Sequence, residues 1–284
     1  MNILIVISAH NEEAFIGDML QSIIDQTLLP QKVVVVNDSS TDDTQNIILK
    51  FAEKHSFIES IFHNSKKNHE PGNKVINAFY KGFETVEGKY DFIGKFDADI
   101  ILPPTYFQRI MELFSSDEEI GIAGGNLYIK EEKSWKYEHI SEKTKVRGPI
   151  KLYRKECFEA IDGLKKSIGW DTVDELLAQY HGWKVKTDTS LHVNHLKPTG
   201  KVYSKASKHK QGEAFYKMHY GFLLTLIASA KLASKKKSFQ FFVDTMRGYF
   251  KAKNQNLNYI VSEAEGKFIR NLRWKNIKKK IGFG

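Results

Sequence analysis

Two unbroken apolar runs, at 3–7 and 33–36, and two mostly apolar stretches, at 58–62 and 92–96, alternate in the first hundred residues with stretches of helical periodicity at 12–26, 41–54 and 73–85. Runs that stay apolar at every position are strands buried on both faces. Helices between such strands are the crossovers of a parallel sheet. Right-handed crossovers put the carboxyl ends of all these strands on one edge, where sheets of this kind bind ligands. Three polar clusters follow the runs: His10-Asn11-Glu12, Asn37-Asp38-Ser39-Ser40 and Asp97-Ala98-Asp99. Their arrival on one edge predicts a polar ligand site there.

The second half is less regular. Strands are predicted at 120–129 and 146–153, the latter broken by Gly148-Pro149. A helix is predicted at 171–180 and a last strand at 184–187, followed by Leu191-His192-Val193-Asn194-His195. After Pro198 the pattern becomes helical, basic and aromatic. Residues 201–284 hold 19 Lys and Arg against 4 Asp and Glu, whereas the first 200 hold 24 against 30. That asymmetry predicts a basic module with an anionic partner. The single cysteine, Cys157, forms no intrachain disulfide and reads as a small buried residue. The opening MNILIVISAHNEE has no basic n-region and too short an apolar run for a signal peptide. No segment approaches the roughly 20 apolar residues of a spanning helix. The expected setting is cytoplasmic, with peripheral contact at the inner membrane face through 201–284.

Asp97 and Asp99 lie directly after a buried strand, where two carboxylates are costly unless paired or bound to a cation. Their oxygens suit Mn²⁺ or Mg²⁺; a turn with a helix-capping Asp is the competing reading. Asp38, at the end of the second strand, can accept an N–H from a nucleotide base or form an Asx turn. Asp171, at the start of a helix, is either a general base or an acid favoured by the helix dipole. His192 and His195, on or just after the last strand, are each a polar surface residue or a metal ligand.

Taken together these motifs resemble the family 2 glycosyltransferases over residues 1–200. Ile7-Ser8-Ala9-His10-Asn11-Glu12 is similar to the family's opening strand and turn, and Val36-Asn37-Asp38-Ser39-Ser40-Thr41-Asp42-Asp43-Thr44 to its second motif, with Asn37 where an acid is usual. Phe96-Asp97-Ala98-Asp99 resembles its metal motif. Residues 146–156 followed by Asp162-Gly163-Leu164 resemble its acceptor-side strand and helix. Asp171, eleven residues before Gly182, stands at the position of its base, in Trp170-Asp171 where Glu-Asp is usual. The resemblance implies a GT-A fold: a mostly parallel, Rossmann-like α/β sheet with helices on both faces, here with a C-terminal helical extension. It implies a catalytic domain at 1–200, with a nucleotide-sugar half at 1–100 and an acceptor half at 101–200. The extension is 201–284.

The activity implied is inverting, non-processive transfer from a nucleotide diphosphate sugar, a UDP-sugar for choice, to a glycan or lipid-linked acceptor in cell-surface glycan or polysaccharide synthesis. The Gln-x-x-Arg-Trp motif of processive relatives is absent. The resemblance assigns His10, Asn11, Glu12, Asp38, Lys74, Asp97 and Asp99 to the donor, although the glycine and asparagine spacing around Gly72-Asn73-Lys74 departs from the family's. It assigns Asp97, Asp99 and His195 to Mn²⁺ or Mg²⁺, and Asp171 to the base. A sugar nucleotidylyltransferase would need a Gly-rich, Arg-containing loop after the first strand, which Ser8-Ala9-His10-Asn11-Glu12 lacks. A non-catalytic membrane- or nucleic-acid-binding protein is the reading of another class. No zinc-finger or RNA-recognition signature is present, so no nucleic-acid partner is expected. In 266–284, seven cations interleave with Phe268, Ile269, Leu272, Trp274, Ile277, Ile281 and Phe283. That pattern predicts either an interfacial helix on anionic lipid or a helical cap packed on the protein.

Overall fold

The computed structural model describes residues 1–64, 73–140, 142–198 and 209–282. Gly72 and Phe283 of the sequence reading fall outside them. The first half follows the predicted alternation: β1 (Ile3–Ala9), α1 (Ile16–Ile24), β2 (Lys32–Asp38), α2 (Thr44–Lys54), β3 (Ile58–His63), α3 (Asn73–Phe83) and β4 (Phe92–Asp97). There follow β5 (Ile100–Ile101), α4 (Tyr106–Ser116), β6 (Ile120–Glu131), β7 (Ser134–Tyr137), β8 (Ile150–Arg154), α5 (Lys155–Ala160), α6 (Trp170–Tyr180) and β9 (Lys184–His195). The chain ends in α7 (Lys210–Lys217), α8 (Gly221–Lys235), α9 (Phe239–Asn254) and α10 (Glu263–Lys280).

Among the described residues the strands form one sheet in the order β3-β2-β1-β4-β8-β6-β9-β5, with β7 paired to β6. β3, β2, β1 and β4 are parallel, and β8 joins β4 antiparallel. Ile3, Ile5 and Ile7 face α1, α2 and α4 in the main core, together with Met19, Leu20, Ile48, Phe107 and Ile110. The other face packs on α3. There Gly82 lets the helix approach closely: a Cβ built on it would lie 2.7–3.1 Å from methyls of Val36, Val6 and Val34. Cys157 is buried, as expected for a small core residue.

The strand expected at 146–153 begins only at Ile150, because Pro149 cannot donate to a ladder. The strand expected at 184–187 runs on unbroken to His195, paired to β6 through a register shift beside Gly124. The chain divides into two compact units. One consists of Met1–Asn68, Lys74–Leu164 and His181–Thr199, and holds the sheet. The other is built chiefly from Lys165–Tyr180 and Gly200–Gly284. α6 groups with the C-terminal helices.

The packing at Gly82 yields a stability test. Gly82→Ala is expected to lower unfolding free energy by about 1–3 kcal/mol, since three valine methyls must move in a close-packed core. Gly17→Ala in α1, whose Cβ would meet only Ile47 at 3.8 Å, is expected to be neutral or stabilising. Urea denaturation of the two variants against wild type provides the comparison.

Candidate active site

The loops that leave β1 and β2 are stitched together. Both turn through left-handed backbone, at Asn11 (φ 54°) and Ser39 (φ 57°), a conformation that Asn tolerates better than most residues. The Asn11 N–H donates to Ser40 Oγ at 2.9 Å, and Thr41 N–H donates to Asn11 Oδ1 at 2.8 Å. Glu12 N–H donates to Thr44 Oγ1 at 2.8 Å, and a His10 ring nitrogen lies 2.6 Å from the Asp38 carbonyl oxygen. The residues assigned to the donor at His10, Asn11 and Glu12 therefore meet Asp38 on one edge, where the Asn11 N–H and Oδ1 tie the loops together.

Asp38 differs. It is buried, and its Oδ1 finds no hydrogen-bond donor among the described residues. A buried carboxylate oxygen without a partner is costly and calls for an explanation. Asn37, on the adjoining position of β2, has none to spare: its Nδ2 donates to Gln45 and its Oδ1 accepts from Ser40 N–H.

Asp97 ends β4, level with Ser8 of β1. Its carboxylate pairs with Lys95, a lysine buried in the same strand. A buried ammonium needs such a counter-charge. Asp99 lies two residues on, before β5, and its carbonyl accepts from Leu196 N–H at 2.8 Å. Pairing of β5 with β9 sets Ile100 opposite His195. The Asp99 carboxylate then lies 3.8 Å from His195 Nε2, while His195 Nδ1 lies 3.2 Å from Glu138. Arg147 in turn reaches Glu138 at 3.3 Å. Along β9 the burial alternates, so His195 is buried while His192 is exposed and stacks on Tyr128 with ring centroids 4.0 Å apart.

Burial and the neighbouring Asp97 charge push the Asp99 carboxyl up to about 6. Burial also raises Glu12, against the opposing pull of Lys197, whose ammonium sits 2.5 Å away. Burial disfavours a charged His195, but the Glu138 hydrogen bond and the charges of Asp99, Glu138 and Asp97 outweigh it and raise its pKa. This is a crowded anionic site.

Among the described residues no three Asp, Glu, His or Cys side chains stand as a finished metal cage. The donor set nonetheless fits a divalent cation. Glu138 can hold the proton on His195 Nδ1 and leave Nε2 free beside Asp99, the arrangement that orients metal-bound imidazoles. Asp99 and His195 are thus together, whereas Asp97 of the assigned ligands is engaged with Lys95. Lys74 stands in the first turn of α3, next to Val75, whose carbonyl accepts from Ser8 Oγ at 3.2 Å. Asp171 is the second residue of α6, half-buried, in the other compact unit. Lys95, Glu138, Arg147 and Lys197 were not foreseen, and no local motif marks any of them.

Residues 4–165 match the glycosyl transferase family 2, and the chain belongs to that family. It is 26% identical over 129 residues to a poly-β-1,6-N-acetyl-D-glucosamine synthase of Staphylococcus aureus, covering 45% of this chain and 29% of the relative. It is 29% identical over 178 residues to an uncharacterised glycosyltransferase of Mycoplasma pneumoniae, covering 58% and 56%. The chain thus spans less than two thirds of the length of these relatives. Among solved structures, Staphylococcus aureus TarS 1–349 in complex with UDP-GlcNAc superposes with a TM-score of 0.57 at 15% identity, covering 90% of this chain and 74% of TarS. A Pyrobaculum calidifontis mannosyltransferase in complex with GDP-Man and Mn²⁺ gives 0.56 at 14% identity, covering 100% and 76%. The fold is the GT-A type expected.

If Asn11 serves the loops, its substitutions rank by backbone conformation. Asn11→Ala is expected to cost about 1–2 kcal/mol, because alanine sits poorly in the left-handed region and loses the Thr41 bond. Asn11→Gly should cost less. Equal losses in thermal melts of the two variants would contradict this order.

Proposed function

We propose that the chain transfers a sugar from a nucleoside diphosphate donor to an acceptor hydroxyl with inversion at the anomeric carbon. The observation that carries the reading is the unpartnered, buried Asp38 Oδ1 at the carboxyl end of β2, beside the Asp97, Asp99 and His195 group. The Asp38 carboxylate can accept the ring N–H of uracil, and a UDP-sugar is the donor we propose. Structures of this one fold accommodate both UDP-GlcNAc and GDP-Man, so the base is chosen by local residues of this kind. Similarity to the poly-β-1,6-N-acetyl-D-glucosamine synthase supports a place in polysaccharide synthesis, with a glycan or lipid-linked acceptor.

Asp99 and His195 would hold Mn²⁺ or Mg²⁺, with Asp97 assisting. Such an ion supplies charge neutralisation for the departing diphosphate. Glu138 and Arg147 fix the His195 ring, and Lys197 balances Glu12. Lys74 is assigned to the diphosphate. Asp171 removes the acceptor hydroxyl proton as that oxygen bonds to the anomeric carbon and the bond to the diphosphate oxygen breaks.

Asp38→Ala is expected to weaken UDP binding about tenfold or more, near 1.4 kcal/mol, and wild type should bind UDP more tightly than GDP in calorimetry. Comparable affinities for the two nucleotides would remove the uridine assignment. Asp99→Ala is expected to abolish transfer, with Asp97→Ala milder in activity but less stable, since Lys95 loses its counter-ion. Asp171→Asn should lower kcat by about 10²–10⁴ with donor affinity retained. An unchanged kcat in that folded variant would move the base elsewhere.

A further inference from the structure

The basic C-terminus predicts a membrane contact through α10, but there Phe268, Leu272, Trp274 and Ile277 are half-buried, and Ile281, just past the helix, is the exposed apolar residue. Ile269 is fully buried and the Phe268 ring meets Tyr180 at 5.5 Å. Arg270 donates to the His219 carbonyl, and Arg273 to Tyr220 Oη. Upstream, Phe215, Tyr216, Tyr220 and Leu224 are buried as well.

The exposed apolar surface lies instead on the hairpin of α8 and α9. Residues 221–230 of α8 hold no charged side chain, and apolar residues lie on both its buried and its exposed side, where a surface helix normally turns polar. One side, with Leu224, Thr225, Ser229 and Ala233, is buried. On the other, Phe222, Leu223 and Ile227 are 47%, 60% and 40% exposed. On α9, Phe239 is 78% and Phe250 43% exposed. The Phe222 and Phe250 rings lie 5.9 Å apart, so the two stripes join. Residues 221–254 carry seven cations (Lys231, Lys235, Lys236, Lys237, Arg247, Lys251 and Lys253) and one acid, Asp244. Asp244 is buried and bonded to Gln240, so it offsets none of the surface charge.

We propose that this α8–α9 face docks on an anionic phospholipid surface, with Phe222, Leu223, Ile227, Phe239 and Phe250 entering the interface and the surrounding lysines meeting headgroups. The charge decides between occupants. A second copy packed on the same face would bring seven cations against seven, which opposes a self-complementary contact. Anionic lipid neutralises them and takes up the apolar side chains. The contact lies on the surface: α8 has 15 residues, and among the described residues no helix is long and apolar enough to cross a membrane. This proposal stands apart from the transfer reaction.

Flotation of the full chain with vesicles tests it. Phosphatidylcholine vesicles containing phosphatidylglycerol are expected to carry the protein at low salt and release it at high salt, while pure phosphatidylcholine does not bind it. Leu223→Glu with Ile227→Glu should abolish flotation. Replacing Lys235, Lys236 and Lys237 by Gln should weaken it about a hundredfold. The same change at Lys278, Lys279 and Lys280 of α10 should weaken it less. All variants should retain wild-type circular dichroism and UDP affinity, which separates a docking failure from failure of the fold or of the donor site. Three results overturn the proposal: no flotation of wild type at low salt, hairpin variants that float as wild type does, or a dimer dispersed by Leu223→Glu with Ile227→Glu in a protein that ignores vesicles.

Discussion

β1 pairs in parallel with β2 on one side and with β4 on the other, and this register levels Ala9 with Asn37 and Ser8 with Asp97. Three polar segments then leave the sheet at one height. The chain reverses its direction of strand addition at β1, so a crevice opens between the carboxyl ends there. A slip of two residues in either pairing would keep the hydrophobic faces in place and still move Asp38 or Asp99 by about 7 Å along the strand. The valines of β2 and the isoleucines of β1 therefore fix the geometry of the site as well as the core.

Charge is the second constraint. The edge gathers Glu12, Asp97, Asp99 and Glu138 within a half-buried space, and buried carboxylates repel and desolvate one another. The chain answers with basic groups: Lys95 of the same strand on Asp97, Arg147 of the following loop on Glu138, and Lys197, from far along the chain, on Glu12. Asp99 receives none of these, and its carboxyl is the one raised to about 6. Charge matching is thus left incomplete at the carboxylate that faces His195, where a cation would complete it. Asp38 is incomplete in another way, lacking a hydrogen-bond donor rather than a counter-charge. These two deficits are the ones the proposed donor would answer, with a base N–H at Asp38 and a diphosphate-bound ion at Asp99.

What could be read from the sequence follows from the range of the interactions involved. β1 and β2 were legible because strands buried on both faces are written as unbroken apolar runs, whereas β3, an edge strand holding Glu59 and Ser60, and β4, holding Lys95, were legible as mostly apolar stretches between helical ones. Asp38, Asp97 and Asp99 were legible because they directly follow such runs. Glu138 and Arg147 were not, since their function depends on β9 returning His195 from nearly sixty residues away. Asn11 carried the right position but an ambiguous role: only the left-handed turn and the Thr41 bond reveal that its side chain serves the loops. The aromatic residues after Pro198 show the same limit. Their spacing announces helices, yet which ring packs inward is decided by contacts between helices, so Tyr220 and Phe222, two residues apart, have opposite fates.

The grouping of α6 with the C-terminal helices links the two proposals. α10 begins at a capping box of Ser262 and Glu265 and packs against both α6 and α8, joining them through Phe268 on Tyr180. The residue proposed as base, Asp171, and the face proposed to meet lipid therefore belong to one compact unit. The unpartnered acceptor and the anionic cluster belong to the other. A donor that is soluble needs only the sheet edge, whereas an acceptor anchored in a membrane must be met by a surface already resting on it. Under the two proposals together, a docked surface on the unit that carries Asp171 would raise the effective concentration of a membrane-bound acceptor at the proposed base. On this account the loss of α8–α9 docking raises the KM for a membrane-bound acceptor and leaves that for a short soluble acceptor unchanged.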